Sequence, residues 1–202
     1  MKWKKEVVNN MVKKYKTIYA DPPWYERGGG KIKRGADRHY NLMKTEEIKN
    51  MSEFIDELKH SDGCHLYLWV TNNFLKDGLE VIEEWGFEYI TIITWVKKNI
   101  GLGQYYRGVS EHCLFAATPK RLPYKKDDDG KRAQGKTAFI ERKGKHSQKP
   151  NKMREWIEKV SHKPRIELFA RDKYKGWDVW GNEVNNDVIK TKLDDFENIV
   201  GE

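Results

Sequence analysis

Thr17-Ile18-Tyr19-Ala20-Asp21-Pro22-Pro23-Trp24 is the stretch on which the reading of this chain turns. β-Branched and aromatic residues fit a pleated, covered surface, so its first half predicts a short buried strand over 16–20. Consecutive prolines cannot donate to a sheet ladder, and the strand must stop at them. Asp21 is then a carboxylate at the carboxyl end of a strand. Behind it come carbonyls with no competing N–H between them, and then a large aromatic plate. An Asp-Pro turn is the plain alternative, because both residues are common in turns for local reasons. Open α/β sheets, however, bind their ligands just outside the carboxyl ends of their strands. The stretch offers hydrogen-bond acceptors and a stacking surface on a stiff frame.

Upstream, Trp3, Val7, Met11 and Val12 fall near one helical face among lysines, giving a short amphipathic helix or an arm over about residues 1–15. Downstream, Tyr25 to His39 holds Gly28, Gly29, Gly30 and Gly35 with Arg27, Lys31, Lys33, Arg34 and Arg38. Nothing there is periodic or apolar, so it is a loop. No Gly-Lys-Ser/Thr opens a helix after it, which excludes a P-loop. It is either a solvated basic loop or a segment in which Arg27 and Arg34 grip a nucleic-acid backbone.

Further along, Ile48, Met51, Ile55 and Leu58 predict a helix over 45–59 with Thr45 as N-cap. Cys64–Val70 reads as a buried strand, and Leu75, Leu79, Ile82 and Trp85 as a helix stopped by Gly86. Residues 87–97 form a strand, 98–108 a loop, and Glu111–Ala117 another strand. From Pro119 to Gln148 the pattern vanishes into a long charged stretch. Pro150 opens a helix carrying Met153, Trp156, Ile157 and Val160; Ile166–Ala170 and Trp177–Trp180 are the last strands, and 186–202 is a polar tail. Strands alternating with helices predict a mainly parallel sheet covered on both faces, in one domain spanning 1–202.

The chain has 39 Lys plus Arg against 31 Asp plus Glu, a net charge of +8, with 8 Trp and 10 Tyr. That balance favours a polyanionic partner, and the aromatics supply candidates for stacking on bases. Cys64 and Cys113 lie far apart inside apolar runs, which suggests buried free thiols in a reducing compartment. Their neighbours His65 and His112 form no close-spaced ligand pair with them, so no metal site is expected. No apolar run reaches the length of a membrane span. The expected location is the cytoplasm, with no membrane partner.

Asp-Pro-Pro-Trp directly after a buried strand is the signature of amino-group methyltransferases. The chain resembles the family of the seventy-kilodalton subunit of messenger-RNA adenosine N6-methyltransferase, with its bacterial and phage relatives that act on DNA adenine. The likeness spans roughly 17–185 and rests on co-linear blocks. They are Ala20-Asp21-Pro22-Pro23-Trp24; Leu66-Tyr67-Leu68-Trp69-Val70-Thr71; Glu111-His112-Cys113-Leu114; and His146-Ser147-Gln148-Lys149-Pro150, continuing to Glu167-Leu168-Phe169-Ala170-Arg171 and Gly181-Asn182. The resemblance implies a Rossmann-like, circularly permuted methyltransferase fold that uses S-adenosyl-L-methionine. It implies transfer to the N6 amine of adenine, in DNA or alternatively RNA. A non-catalytic partner subunit is the other reading, but such partners carry a degenerate motif and this one is complete. The family's pairing habit leaves a homodimer or a heterodimer with a related subunit open.

The N6 amine is a poor nucleophile because its lone pair is delocalised into the ring. It needs positioning and acceptors for its hydrogens more than a strong base. The resemblance implies a catalytic centre of Asp21, Pro22, Pro23 and Trp24, with Asp21 and the Pro22 carbonyl accepting and Trp24 stacking on the base or walling it in. It implies Tyr40, Glu111 and Lys149 at the base site. Around the cofactor it implies Asp21, Lys149, Glu167, Leu168, Phe169, Arg171, Lys173, Asn182 and Glu183. Glu111 and Lys149 could instead simply pair with each other, and Trp24 could be ordinary core. The chain departs from the family at Asp172, Lys173 and Tyr174, where the messenger-RNA enzyme has Pro, His and Asn. Glu183 stands where that enzyme has glutamine.

Overall fold

The computed structural model describes residues 13–25, 42–101, 105–142, 148–182 and 184–187. In chain order the elements are β1 (Thr17–Ala20), α1 (Thr45–Lys49), α2 (Ser52–Leu58), β2 (His65–Val70), α3 (Leu75–Glu84), β3 (Glu88–Lys97), β4 (Ser110–Ala117), β5 (Ala138–Glu141), α4 (Asn151–Val160), β6 (Arg165–Leu168) and β7 (Asp178–Trp180). The strands form one seven-stranded sheet in the order β5-β3-β4-β2-β1-β6-β7. β1 pairs parallel with β2 on one side and β6 on the other, and β6–β7 and β3–β5 are also parallel. Only β4 runs against its neighbours β2 and β3. The sheet is therefore mixed and mostly parallel.

Strand residues alternate between two covered faces, as the two-residue side-chain period requires. Ile18, Ala20, Leu66, Leu68, Val70, Leu114 and Ala116 pack under α1, α2 and α3 with Ile48, Ile55, Leu58, Val81 and Ile82. Tyr19, Tyr67, Trp69, Trp95 and Cys113 face the other way, against Met153 and Ile157 of α4. Burying each such aliphatic side chain stabilises by about 1.5–3 kcal/mol. α3 comes especially close to the sheet at Gly78, where an added Cβ would lie 2.5 Å from Val70 Cγ1. Fully buried Trp85 ties that helix to α1 by donating from Nε1 to the Ile48 carbonyl at 2.9 Å.

Several boundaries differ from those read in the sequence. The helix expected over 45–59 is two helices broken at Asn50–Met51, although Ile48, Met51, Ile55 and Leu58 keep one buried face through the break. Thr45 is the first helical residue rather than the cap, and its hydroxyl donates to Asp77 of α3 at 2.6 Å. The stretch expected to be patternless from Pro119 to Gln148 contains β5, an edge strand held by pairing to β3 and by buried Phe139. Pro150 caps α4 instead of opening it. The N-terminal arm up to residue 12, most of the 25–39 loop and the tail beyond Asp187 lie outside the described residues.

Candidate active site

Register brings one rim of the sheet together. Ala20 of β1 stands level with Leu68 of β2 and Leu168 of β6, and Leu168 stands level with Trp180 of β7. Asp21, Phe169 and Gly181 therefore leave adjacent parallel strands side by side at their carboxyl ends. Because β4 is antiparallel, its amino end, with Ser110, Glu111 and His112, arrives at the same rim.

The carboxylate of Asp21 is held by Lys149, whose Nζ lies 2.6 Å from Oδ1 and 2.7 Å from Oδ2. The same ammonium lies 3.5 Å from Glu111 Oε2 and 5.4 Å from the centre of the Trp69 ring. Glu111 is engaged on its other oxygen by Lys97 at the end of β3, whose ammonium sits 5.3 Å from the Trp95 ring centre. Lys97, Glu111, Lys149 and Asp21 thus alternate in sign across β3, β4, the entry to α4 and β1. Burial alone would pull the Lys149 pKa down, but Asp21 and Glu111 outweigh it and raise it. Burial alone would push Glu111 up, but Lys149 and Lys97 outweigh it and hold it below the ordinary carboxylate value. Both groups are therefore charged at neutral pH. Sequence reasoning missed Lys97, which as a lone lysine at a strand end reads as solvated.

Trp24 is only 8% exposed. Its indole N–H donates to the Trp69 carbonyl at 2.9 Å, and its ring stacks on Phe74 with centres 5.3 Å apart. The backbone after Asp21 is equally fixed. Trp24 N–H donates to the Pro22 carbonyl at 2.9 Å, and Met43 N–H donates to the Pro23 carbonyl at 2.8 Å. The carbonyls that look uncontested in the sequence are both in use. Each retains a second lone pair.

At the neighbouring strand ends, Glu167 is buried and both its oxygens accept from Arg154 of α4, at 2.6 and 2.9 Å. Burial raises the Glu167 pKa and Arg154 opposes the rise. Arg154 also lies 3.8 Å from the Tyr174 ring centre. It too went unread in the sequence; the signal was an acid inside a buried strand, which needs a cation from the covering helix. Leu168 is core, and Phe169 turns out of β6 with φ 60° and packs edge-on against Trp180. Gly181 packs so closely that an added Cβ would lie 2.3 Å from the Ala170 carbonyl oxygen. Lys173 is exposed and pairs with Asp187 at 2.5 Å, and Asn182 is exposed on the same rim. Arg171 is partly covered there. Tyr40, Arg27, Arg34 and Glu183 lie outside the described residues.

A lysine-paired carboxylate, a fixed aromatic wall and a tight backbone junction thus stand at the carboxyl ends of parallel strands, the place where open α/β sheets bind their ligands. Comparison with known proteins gives the chain a family. The MT-A70 profile matches residues 15–183, and this chain belongs to that family and is a methyltransferase. It is 30% identical to the Type II methyltransferase M.MunI of a Mycoplasma species over 194 residues, covering 88% of this chain and 81% of that protein. It is 28% identical over 183 residues to a probable N(6)-adenosine-methyltransferase MT-A70-like protein of rice. It is 27% identical over 189 residues to the human N(6)-adenosine-methyltransferase catalytic subunit METTL3. The matches cover 83% and 85% of this chain but only 23% and 28% of those two proteins, so the chain spans about a quarter of their length. Among the described residues no helix is long and apolar enough to cross a membrane.

Proposed function

We propose that this chain methylates the N6 amine of adenine in DNA, taking the methyl group from S-adenosyl-L-methionine. The observation that carries the reading is Asp21, paired with Lys149 at the end of β1, with Glu111 holding that lysine from its other side. The permuted order implied by the resemblance puts this motif strand ahead of the cofactor strands β6 and β7 in the chain.

The residues at those strand ends fit the cofactor's chemistry. Asp21 suits its amino group, Lys173 its carboxylate and Asn182 its ribose hydroxyls. The close Ala170–Gly181 junction keeps side chains out of the way. S-Adenosyl-L-methionine, when bound, supplies an electrophilic sulfonium methyl group. The chain's own residues position and polarise the amine. Asp21 accepts one N6 hydrogen and the remaining lone pair of Pro22 accepts the other, so the nitrogen lone pair turns from the ring towards the methyl group. Trp24, fixed by Trp69 and Phe74, walls in the base rather than swinging to meet it. Lys149 holds the Asp21 carboxylate in place. No covalent enzyme intermediate is required.

DNA is favoured because the alignment covers most of the Mycoplasma type II enzyme and only about a quarter of the adenosine methyltransferases. RNA is the second reading, carried by those same adenosine-methyltransferase relatives. The test offers labelled S-adenosyl-L-methionine with double-stranded DNA, single-stranded DNA and RNA, then digests each polymer to nucleosides. Label in N6-methyldeoxyadenosine supports the proposal. Label in cytosine, or in no nucleoside, refutes it, and label in RNA alone selects the second reading.

A further inference from the structure

The hairpin joining β3 to β4 carries two tyrosines with almost no cover: Tyr105 is 94% and Tyr106 91% exposed. Aromatic side chains of this size ordinarily bury much of their surface. The hairpin is nonetheless built. Lys97 N–H donates to the Val109 carbonyl at 2.7 Å and Gly101 N–H to the Gly108 carbonyl at 2.8 Å. Arg107 folds back, its Nε donating to the Gly101 carbonyl at 2.7 Å, which sets a guanidinium next to the paired rings in the chain. Residues 98–110 contain Lys98 and Arg107 and no acidic residue. The foot of the same hairpin belongs to the candidate site, because Lys97 and Glu111 flank it and lead to Lys149 and Asp21.

We propose that Tyr105 and Tyr106 form a stacking platform for a DNA strand unpaired around its target adenine, gripping bases that flank the one at Asp21. The choice of DNA rests on the function proposed above. Stacking tolerates any sequence, since every base presents a π-face, and cations beside the rings follow the phosphates. An adenine must leave its duplex to reach Asp21, which leaves unstacked neighbours to be received. A protein partner could also cover tyrosines, but an acid-free, cationic tip joined to a nucleobase site fits a polyanion better. Tyr106 lies five residues from Glu111. That separation spans at most about 17 Å of chain, or roughly five stacked bases at about 3.4 Å each. The bases received on the platform therefore lie within roughly five of the one at the candidate site.

The test measures fluorescence anisotropy of a labelled oligodeoxynucleotide of about fifteen nucleotides with one central adenine, without cofactor. The Tyr105→Ala/Tyr106→Ala variant is expected to bind at least about tenfold more weakly than wild type. The Tyr105→Phe/Tyr106→Phe variant, which keeps the rings, restores binding. Tyr124→Ala, which removes an exposed tyrosine elsewhere, changes nothing. Unchanged affinity of the double alanine variant overturns the proposal, as does failure of the double phenylalanine variant to restore binding. A loss seen with RNA of the same sequence and not with DNA overturns the choice of strand. Sedimentation showing that the double variant has only lost a dimer assigns the surface to a second copy instead. Because binding is read without methyl transfer, a catalytically silent protein still answers this question. Conversely, an active enzyme indifferent to the tyrosines discards the platform alone.

Discussion

The ammonium of Lys149 lies 2.6 and 2.7 Å from the two carboxylate oxygens of Asp21, across 128 residues of sequence, and 3.5 Å from Glu111 on its other side. One cation thus separates two acids that are each mostly covered. Lys149→Met leaves those acids facing one another with Lys97 as their remaining partner. Breaking a buried pair in this way costs about 3–5 kcal/mol, and the partial exposure here puts the expected loss at the lower end of that range. Urea unfolding reads it directly: the midpoint should fall. An unchanged midpoint would mean that the network carries no stability.

The same network sets a pH window. Glu111, held below its ordinary 4.5, contributes stability that is complete above that value and lost as pH falls through its lower folded pKa. Lys149, held above its ordinary 10.5, contributes stability that is complete below that value and lost as pH rises through its higher folded pKa. Lys97→Met takes a cation from Glu111 and moves its pKa upwards. The acid-side decline in stability should still begin near the ordinary carboxylate value but be smaller, and end at higher pH, than in wild type. Chemical unfolding across the acid range measures this, and superimposed curves would rule out Lys97 as a partner of Glu111 in solution.

Gly181 and Gly78 separate site geometry from global packing. At Gly181 a Cβ would lie 2.3 Å from the Ala170 carbonyl oxygen, and at Gly78 2.5 Å from Val70 Cγ1. Either alanine should destabilise by about 1–3 kcal/mol through overpacking. Only Gly181→Ala should also weaken S-adenosyl-L-methionine binding, because Gly181 adjoins Asn182 at the end of β7, among the residues proposed to hold the cofactor, whereas Gly78 packs α3 onto β2. Calorimetric titration distinguishes them, and equal cofactor affinity in both variants would remove the β6–β7 junction from the site.

Trp24→Phe keeps a ring against Phe74 but deletes the indole N–H that Trp69 accepts. The expected cost is about 1–2 kcal/mol of stability, together with slower transfer as the wall loosens. Slower transfer with no change in stability would show that the indole acts on the base directly.

The central strands were legible because buried apolar runs end in prolines, glycines or charge. β1, β2, β4 and β6 appear within a residue or two of where the pattern puts them, and α3 does likewise. β5 was not, since its four residues contribute one buried side chain and owe their conformation to pairing with β3. The break between α1 and α2 was hidden for the opposite reason: apolar spacing continues unbroken across it. In the site, Asp21, Glu111 and Lys149 were readable as motif residues, and the sheet register together with the entry to α4 brings them together. Lys97 and Arg154 were not. A lysine at a strand end or an arginine on a helix reveals its partner only once topology places an acid opposite.

The most direct measurement is the single-turnover rate of methyl transfer to an adenine-containing DNA strand by wild type and by Asp21→Asn. Asparagine preserves the shape, and Glu111 still holds Lys149, so the variant should fold, with a melting temperature lowered by the loss of the Asp21–Lys149 ion pair. With the charged acceptor gone, transfer to N6 is expected to slow by at least about a hundredfold. A folded Asp21→Asn variant that methylates adenine at the wild-type rate would contradict the role assigned to Asp21.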